Sequence, residues 1–262
     1  MDAREAATDW PRYPDLAGKV ALVTGGSKAL GAAACRGLAA SGVAVAVNGR
    51  DLAALKEVTG SITAAGGHAL AVPGDVTDPA AVQQMKERAE SELGPVDILL
   101  PFAGGQGLPT PTTQLGLDRW RAVLDSDLTS VYLTVTAFLD GMIERGGGSI
   151  ITMASDAGRR PGRANAAYAA AKAGVVMFSK HLANEVAGHG VRVNCLAPSA
   201  VLNERMRAAM SGSQIDELAH SFPLGRIGQP ADIAQAVLYL ASDASSWITG
   251  VTLDITGGRV IL

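Results

Sequence analysis

Aromatic residues and cysteines are scarce in this sequence of 262 residues. Phenylalanine, tryptophan and tyrosine together make up 4% of the chain, so the core is expected to contain mainly aliphatic side chains. The two cysteines, Cys35 and Cys195, fall in apparent helix and strand segments without metal-ligand spacing, which favours buried free thiols. The four histidines are scattered and have no companion ligands nearby in sequence, so we predict no zinc or iron site.

An excess of positive charge and long apolar runs are also absent. The chain has 22 Lys and Arg residues against 25 Asp and Glu residues, a net charge of -3, and no basic cluster. Neither nucleic acid nor a membrane surface is therefore a predicted partner. The first residues lack the apolar run of a signal peptide, and no apolar run approaches the roughly 18 residues of a membrane span. We expect a soluble, cytoplasmic protein.

Short apolar runs alternate with helix-like patterns from Lys19 onward. The composition, 48% hydrophobic residues with 31 glycines, suits a large core joined by tight turns. Runs such as 43–47 and 96–100 are almost continuously apolar, as strands covered on both faces should be. The alternation predicts an α/β fold, a single doubly wound parallel sheet of about seven strands with helices on both faces, as in Rossmann-like folds. Strands are expected near residues 20–24, 43–48, 68–73, 97–102, 148–154, 191–197 and 251–255.

The domain organisation follows from the same pattern. No linker or repeat interrupts the alternation, which favours one domain over residues 18–262. Residues 1–17 look like an irregular N-terminal arm. The segment 199–225 carries several methionine and aliphatic side chains after a strand, and we expect it to form a flap.

A glycine-rich loop follows the first expected strand. Residues 24–31 read Thr-Gly-Gly-Ser-Lys-Ala-Leu-Gly and lead into a helical pattern. Glycines let backbone N–H groups approach a pyrophosphate, and a helix N-terminus adds partial positive charge. Such a loop between the first strand and the first helix of an alternating fold predicts a dinucleotide site.

The end of the second strand bears on the choice of dinucleotide. An acidic residue there would bind the ribose 2′-hydroxyl of NAD, but the sequence reads Asn48-Gly49-Arg50. Arg50, together with Lys28 in the loop, offers positive charge for a 2′-phosphate, which favours NADP over NAD. In the alternative interpretation Arg50 is a solvated charge that opens the next helix.

Tyr168 and Lys172 are spaced four residues apart in an alanine-rich stretch. On a helix this spacing places both side chains on one face, where a cation beside a phenol favours the phenolate form. A tyrosine in that setting can exchange a proton with an alcohol or carbonyl. Taken alone, the pair also fits a half-buried ring beside a solvated charge.

The loop, the Tyr168/Lys172 pair and their separation together resemble the short-chain dehydrogenase/reductase family over about residues 18–262. The resemblance is nearest to its bacterial 3-oxoacyl-carrier-protein reductase-like members. Ser155 stands thirteen residues before Tyr168, where the family keeps its catalytic serine.

The resemblance also implies a cofactor site. Residues 74–76 match the segment that contacts adenine, 103–104 match the end of the fourth-strand motif, and 198–203 match the stretch that holds the nicotinamide carboxamide. Residues 248–250 and 254–258 resemble the family's terminal segment. The residues expected to bind cofactor are Gly25, Ser27, Lys28, Leu30, Gly31, Arg50, Asp75, Val76, Ala103, Gly104, Tyr168, Lys172, Pro198, Val201 and Asn203.

The chemistry that the resemblance implies is hydride transfer between a nicotinamide and a carbonyl or alcohol. Tyr168 would protonate the developing alkoxide, Lys172 would favour its phenolate form and bind the nicotinamide ribose, and Ser155 would donate to the substrate oxygen. Asp127 occupies the position of the fourth catalytic residue, normally asparagine, whose backbone carbonyl binds a water in the proton relay. An ionised Asp127 near Lys172 would partly offset the field of the lysine at Tyr168.

Five further positions depart from the family pattern. Ala29 replaces the second loop glycine and is expected to place a methyl near the phosphate path. Pro101-Phe102 replaces Asn-Asn, so side-chain amide contacts at this strand end are lost, and Phe102 is expected to compensate by packing. Ser199 replaces a glycine and Asn203 a threonine, and both can still form hydrogen bonds.

The leading hypothesis is thus an NADP-dependent reductase of ketones or 3-oxoacyl groups. One alternative is an NAD-linked alcohol or sugar dehydrogenase, and another is a nucleotide-binding protein without activity that serves as a sensor or scaffold. The expected partner is a small carbonyl or alcohol substrate.

The state of assembly follows from the resemblance and from the small residues that line 164–174. Because the family commonly assembles through this helix and the one before it, we expect a homotetramer. Those residues would equally allow tight packing of the helix onto its own sheet.

Overall fold

A computed structural model of the chain describes residues 10–261, apart from the side chain of Arg205. Its centre is a seven-stranded sheet in the order β3-β2-β1-β4-β5-β6-β7, and every neighbouring pair is parallel. The predicted fold class is confirmed, and each expected strand is present with its bounds within one residue. The strands are β1 (Val20–Thr24), β2 (Ala44–Gly49), β3 (Ala69–Pro73), β4 (Ile98–Pro101), β5 (Gly148–Met153), β6 (Val191–Pro198) and β7 (Thr252–Ile255).

Helices cover both faces of the sheet. Side chains of α1, α2 and α9 pack in one buried cluster, and side chains of α3, α5 and α6 pack in the other. Strand residues alternate between the two clusters, as Ala21 and Val23 face one while Val20 and Leu22 face the other. This explains why the strands are apolar throughout. The helices are α1 (Ala29–Ala40), α2 (Leu52–Ala64), α3 (Pro79–Leu93), α4 (Leu117–Leu124), α5 (Ser130–Arg145), α6 (Ala166–Val186), α7 (Glu204–Ala209), α8 (Gly212–His220) and α9 (Pro230–Ala241).

The strand order creates a crevice at one edge of the sheet. The chain runs outward from β1 through β2 to β3, then returns to place β4 on the other side of β1. Loops that leave the carboxyl ends of β1 and β4 therefore diverge, which is where open α/β sheets bind ligands. All the predicted site segments follow strands at this edge or begin the helices beside it.

A π-helical turn at Asp125–Thr129 joins α4 to α5 without a break in the helix. The stretch Leu117–Arg145 is long and apolar enough to cross a membrane by length and composition, and 39% of its apolar window is buried. Its side chains Val131, Val135, Phe138 and Met142 lie in the second cluster. The stretch is thus a core helix of this domain.

The described parts of the two segments outside the regular alternation are both structured. In the expected N-terminal arm, residues 1–9 lie outside the described part of the chain, whereas Leu16 is fully buried and the Trp10 ring packs close to Gly37 of α1. The segment 199–225 contains α7 and α8. Whether it moves as a flap stays a prediction.

Candidate active site

The glycine-rich loop turns sharply between β1 and α1. Gly25 adopts a left-handed φ of 64°, and Gly26 donates its N–H to the Asn48 carbonyl of β2 at 2.9 Å. A Cβ on Gly31 would collide with the Gly25 carbonyl oxygen, so the first turn of α1 lies directly on the loop. The Leu30 and Ser27 side chains are half-buried, and Ser27 Oγ points at Gly49, where β2 ends.

The N-terminus of α1 has no side-chain cap. Lys28 occupies the N-cap position without a capping bond, and the first turn carries no acidic residue. By contrast, Asp51, Asp78 and Asn165 cap α2, α3 and α6 through their side chains. Free N–H groups beside a close-packed glycine turn are what the pyrophosphate of a dinucleotide requires. The loop therefore fits a dinucleotide cofactor.

Ala29 departs from the backbone conformation that alanine prefers. Its φ is 46°, the one left-handed value among the non-glycine residues of the described chain, and its side chain is exposed. The methyl of Ala29 thus does not force a different loop, because the backbone keeps a conformation suited to glycine. A left-handed alanine costs about 1–2 kcal/mol.

Two cations lie where β2 and β3 end. Lys28 Nζ is 3.1 Å from Asp51 Oδ2, and Arg50 Nη1 is 3.5 Å from Asp75 Oδ2. Hydrogen bonds from the backbone N–H groups of Ala54 and Thr77 respectively are the main causes that hold the pKa values of Asp51 and Asp75 below their usual range. The Arg50 and Lys28 side chains are 76% and 65% exposed, so both cations remain accessible to a ligand.

The end of β4 lies against the glycine-rich loop. Ala103 donates its N–H to Thr24 Oγ1 at 3.1 Å, and a Cβ on Gly25 would be 3.0 Å from the Ala103 Cα. Phe102 packs against the first core cluster, as expected where the two asparagines of the family are missing. Val76 is buried beyond β3, while Gly104 has a φ of 132° and starts the next loop.

A buried ion pair lies at the centre of the crevice. Lys172 Nζ is 3.4 Å from Asp127 Oδ1, with side chains 3% and 0% exposed. The ammonium also donates to the Met153 carbonyl at the end of β5, at 3.0 Å. The expected proximity of Asp127 to Lys172 is therefore present, and the lysine is fixed from two sides.

The Asp127 carboxylate also fixes the loop that follows β4. It accepts the N–H of Gly105 at 2.6 Å and that of Gln106 at 3.4 Å, and a hydrogen bond from Ser126 Oγ at 2.7 Å. Sequence reasoning assigned a role to the backbone carbonyl of this residue and placed its carboxylate near Lys172, but it missed the hydrogen bonds from the carboxylate to this loop. The π-helical turn around Asp127 places its carboxylate toward the loop.

The same loop is held on its other side by Asn165, a residue that sequence reasoning missed. Its amide Nδ2 donates to the carbonyls of Gln106 and Leu108 at 2.8 and 2.9 Å, while its Oδ1 caps Tyr168 N–H at 2.9 Å. The preference for asparagine at helix N-caps could have predicted the contact to Tyr168. No feature of the sequence near Asn165 predicts the contact to Gln106, which is 59 residues away.

Tyr168 lies between this loop and Lys172. The ammonium is 5.6 Å from the centre of the tyrosine ring, and a Cβ on Gly107 would be 2.9–3.2 Å from ring atoms. Only glycine fits at 107 without moving the ring. On the far side, a Cβ on Gly158 would lie 2.5 Å from the Lys172 backbone, so the loop after β5 packs tightly on α6.

Ser155 begins that loop, two residues after β5. Its Oγ accepts the N–H of Ala157 at 3.2 Å and donates to Asp156 Oδ1 at 3.3 Å. Since Lys172 binds Met153 at the end of the same strand, Ser155, Tyr168 and Lys172 share one end of the crevice. Asp156, another residue that sequence reasoning missed, also accepts from Ser199 Oγ at 2.9 Å.

The segment after β6 forms one wall of the crevice. Val201 pairs with Gly228, and Leu202 donates to the Gly228 carbonyl at 2.8 Å. Asn203 caps α7 by accepting from Met206, and its Nδ2 donates to the Val201 carbonyl. Both polar ends of this side chain are thus engaged locally, whereas Pro198 ends β6 directly beside the crevice.

Comparison with known proteins identifies the group to which this site belongs. A family profile described as enoyl-(acyl carrier protein) reductase matches residues 25–259. D-threitol dehydrogenase of Mycolicibacterium smegmatis is 38% identical over 259 residues, 99% of this chain and 98% of that protein. The chain belongs to the short-chain dehydrogenase/reductase family.

Two further similarities support this membership. The 3-oxoacyl-[acyl-carrier-protein] reductase FabG of Escherichia coli is 37% identical over 250 residues, 94% of this chain and 98% of that protein. The crystal structure of a putative gluconate dehydrogenase from Agrobacterium tumefaciens has a TM-score of 0.90 at 29% identity, covering 96% of this chain and 100% of that one. As a short-chain dehydrogenase/reductase, the chain is an oxidoreductase that uses a nicotinamide cofactor.

The thiols take no part in this chemistry. Cys35 and Cys195 are both buried and free, as the sequence predicts. Burial raises the pKa of each thiol, which keeps it protonated and unreactive.

We expect Ala29→Gly to raise the free energy of unfolding by about 0.5–1 kcal/mol. The substitution removes the left-handed strain of about 1–2 kcal/mol but makes the unfolded chain more flexible by about 0.4–1 kcal/mol. Ala33→Gly, within the same helix, should instead lower the free energy of unfolding by about 1 kcal/mol. Urea unfolding at one protein concentration measures both, and a loss of stability in both variants would contradict strain at Ala29.

Proposed function

We propose that this protein is an NADP-dependent oxidoreductase that transfers a hydride between the nicotinamide and a ketone or secondary alcohol, with Tyr168 as the acid/base. The observation that carries the proposal is Lys172, buried between Asp127 and the Met153 carbonyl and 5.6 Å from the Tyr168 ring centre. Burying a cation is costly, so a lysine held in one position beside a phenol indicates a functional role for the pair.

Each residue then has a defined task in reduction. Tyr168 donates its phenolic proton to the developing alkoxide, and the Lys172 ammonium stabilises the phenolate that remains. Ser155 Oγ turns from Asp156 to donate to the substrate oxygen. The bound cofactor supplies the hydride. A 3-oxoacyl group remains one of the candidate carbonyl substrates, in keeping with the similarity to FabG.

Tyr168→Phe is expected to lower kcat by at least about 100-fold, because general acid catalysis contributes about 10²–10⁴-fold. NADPH consumption with a panel of small ketones measures the rate, and fluorescence titration should show that the variant still binds cofactor. Tyr13→Phe, which removes a phenol from the N-terminal segment, is the matched control and should retain full activity. A Tyr168→Phe rate within threefold of the parent would exclude the acid/base role.

The preference for NADP rests on Arg50 and Lys28. Both are exposed cations at the end of β2 and the start of α1, where the 2′-phosphate of NADP would lie. Each now faces a carboxylate of its own chain, and a phosphate would compete with Asp51 and Asp75 for them. The NAD-linked dehydrogenase stays the alternative, favoured by those two ion pairs.

Arg50→Asp should raise the KM for NADPH by about 10-fold or more and improve the use of NADH. The reason is the loss of a charge-assisted contact worth about 1.5–3 kcal/mol, together with a new carboxylate for the ribose 2′-hydroxyl. Steady-state kinetics with both cofactors measure the change, and Arg36→Asp on the exposed face of α1 is the control. A wild-type enzyme that prefers NADH would instead establish the NAD-linked dehydrogenase. Tight NADPH binding without turnover of any substrate would favour the nucleotide-binding sensor or scaffold.

We also propose a homotetramer built through α5 and α6. An exposed stripe on α6 contains Ala170, Ala173 and Met177, the last 63% exposed. Beside it, Tyr132 of α5 is 53% exposed and meets Phe178 edge to face at 6.3 Å. Apolar side chains exposed together on two neighbouring helices favour a partner surface.

The cytoplasmic location stays a prediction.

Met177→Glu should break this assembly, since a carboxylate would be buried in an apolar interface. Light scattering coupled to size exclusion should give four times the 26.7 kDa chain mass for the parent and a smaller particle for the variant. Thr63→Glu, on the exposed face of α2, should leave the particle unchanged. A monomeric parent protein would contradict the proposal.

A further inference from the structure

Asn165 uses every polar atom of a buried side chain. It is 1% exposed, and its Oδ1 accepts the Tyr168 N–H at 2.9 Å. Its Nδ2 donates to the carbonyls of Gln106 and Leu108 at 2.8 and 2.9 Å. An asparagine amide has two N–H donors and one carbonyl acceptor, so both donors and the acceptor have partners. The side chain is therefore held in one orientation, with its donors toward the loop after β4.

Helix capping alone does not explain an asparagine at this position. Asp51 and Asp78 cap α2 and α3 with a carboxylate, and Ser211 caps α8 with a hydroxyl. Asparagine, aspartate and serine are about equally effective at N-caps. An amide differs from the other two groups because it accepts the capping bond and still offers two donors. The contact of Asn165 with the loop after β4 thus accounts for the residue type.

The loop that receives these donors is rich in glycine. Gly104 and Gly105 have φ values of 132° and 105°, which other residues rarely adopt. Ordering the backbone of one residue costs about 1–2 kcal/mol, and glycine loses the most freedom. The Asp127 carboxylate binds N–H groups at the start of the loop, while Asn165 binds two of its carbonyls. Residues 106–108 are thereby held against the start of α6.

The same residues of the loop contact the Tyr168 ring. A Cβ on Gly107 would be 2.9–3.2 Å from ring atoms, so the Gly107 backbone lies against the ring. Gly107 also lies between the two residues whose carbonyls Asn165 binds. Asn165 therefore constrains Tyr168 at its backbone, through the cap, and at its ring, through the loop. Catalysis is sensitive to such constraints, since a misplacement of about 1 Å can cost roughly 100-fold in rate.

We propose that Asn165 positions Tyr168 for proton transfer, and that its two hydrogen bonds to the loop after β4, rather than its helix cap, carry this effect. The inference rests on the proposed function, because it takes Tyr168 as the acid/base. Since Asn165 acts through Tyr168, it is a positioning residue.

Asn165→Ser separates the two contacts, because serine keeps a capping acceptor and loses both donors to the loop. We expect kcat to fall by about 10- to 100-fold, the cost of a tyrosine displaced by up to about 1 Å. The KM for NADPH should stay within about twofold of the parent value, since the glycine-rich loop after β1 is untouched. NADPH consumption with the ketone panel measures both constants.

Two further variants complete the series. Asn165→Asp keeps the size and the cap but turns a carboxylate oxygen toward two carbonyls, so kcat should fall at least as far as in Asn165→Ser. Asp78→Ser exchanges the exposed cap of α3 in the same way and should retain the parent kcat.

A double-mutant cycle shows whether the effect passes through Tyr168. In single turnovers, Asn165→Ser should lower the parent rate but leave the residual rate of Tyr168→Phe within threefold, because that variant has no phenolic proton to position. A general structural defect would instead lower both rates by the same factor, and that result would overturn the inference.

The cycle also distinguishes this inference from the proposed function. A slow Tyr168→Phe together with a full rate in Asn165→Ser would overturn the inference alone. A full rate in Tyr168→Phe, or no turnover of any substrate by the parent, would overturn the proposed function and this inference with it.

Discussion

The contact between Lys172 and Asp127 is the constraint on which the site depends. Both charges are removed from water, which costs several kcal/mol for each ion unless every charge has partners. Here the ammonium binds the end of β5, and the carboxylate binds the loop after β4 and a serine of the π-helical turn. One ion pair therefore joins three parts of the fold, and removing either partner would leave a buried charge at a cost of about 3–5 kcal/mol.

Close backbone packing supplies the remaining order. Gly107 lies against one side of the Tyr168 ring, and Gly158 brings the loop after β5 onto the backbone of Lys172. Asn165 joins the two regions, because it caps the helix that carries Tyr168 and binds the loop that contains Gly107. Tyr168 is consequently positioned by residues that do not themselves take part in the proposed reaction.

The sequence predicts well whatever depends on residues close together in the chain. All seven strands, the glycine-rich turn and the pairing of Tyr168 with Lys172 follow from local periodicity and spacing. Contacts between distant residues escaped prediction, such as Ser199 with Asp156 across 43 positions. The hydrogen bond from the loop after β4 to the Asp127 carboxylate and the left-handed backbone at Ala29 were also missed, since a residue type alone specifies neither orientation nor φ.

The π-helical turn at Asp125–Thr129 makes the site sensitive to chain length as well as to residue identity. An α-helix rotates by about 100° per residue, so one residue fewer in this turn would rotate everything after it by that angle. Each residue of α5 would take the place of its predecessor, so the exposed Tyr132 would occupy the place of the buried Val131. The number of residues in this turn therefore matters as much as their identity, because it sets both the buried face of α5 and the direction of the Asp127 carboxylate.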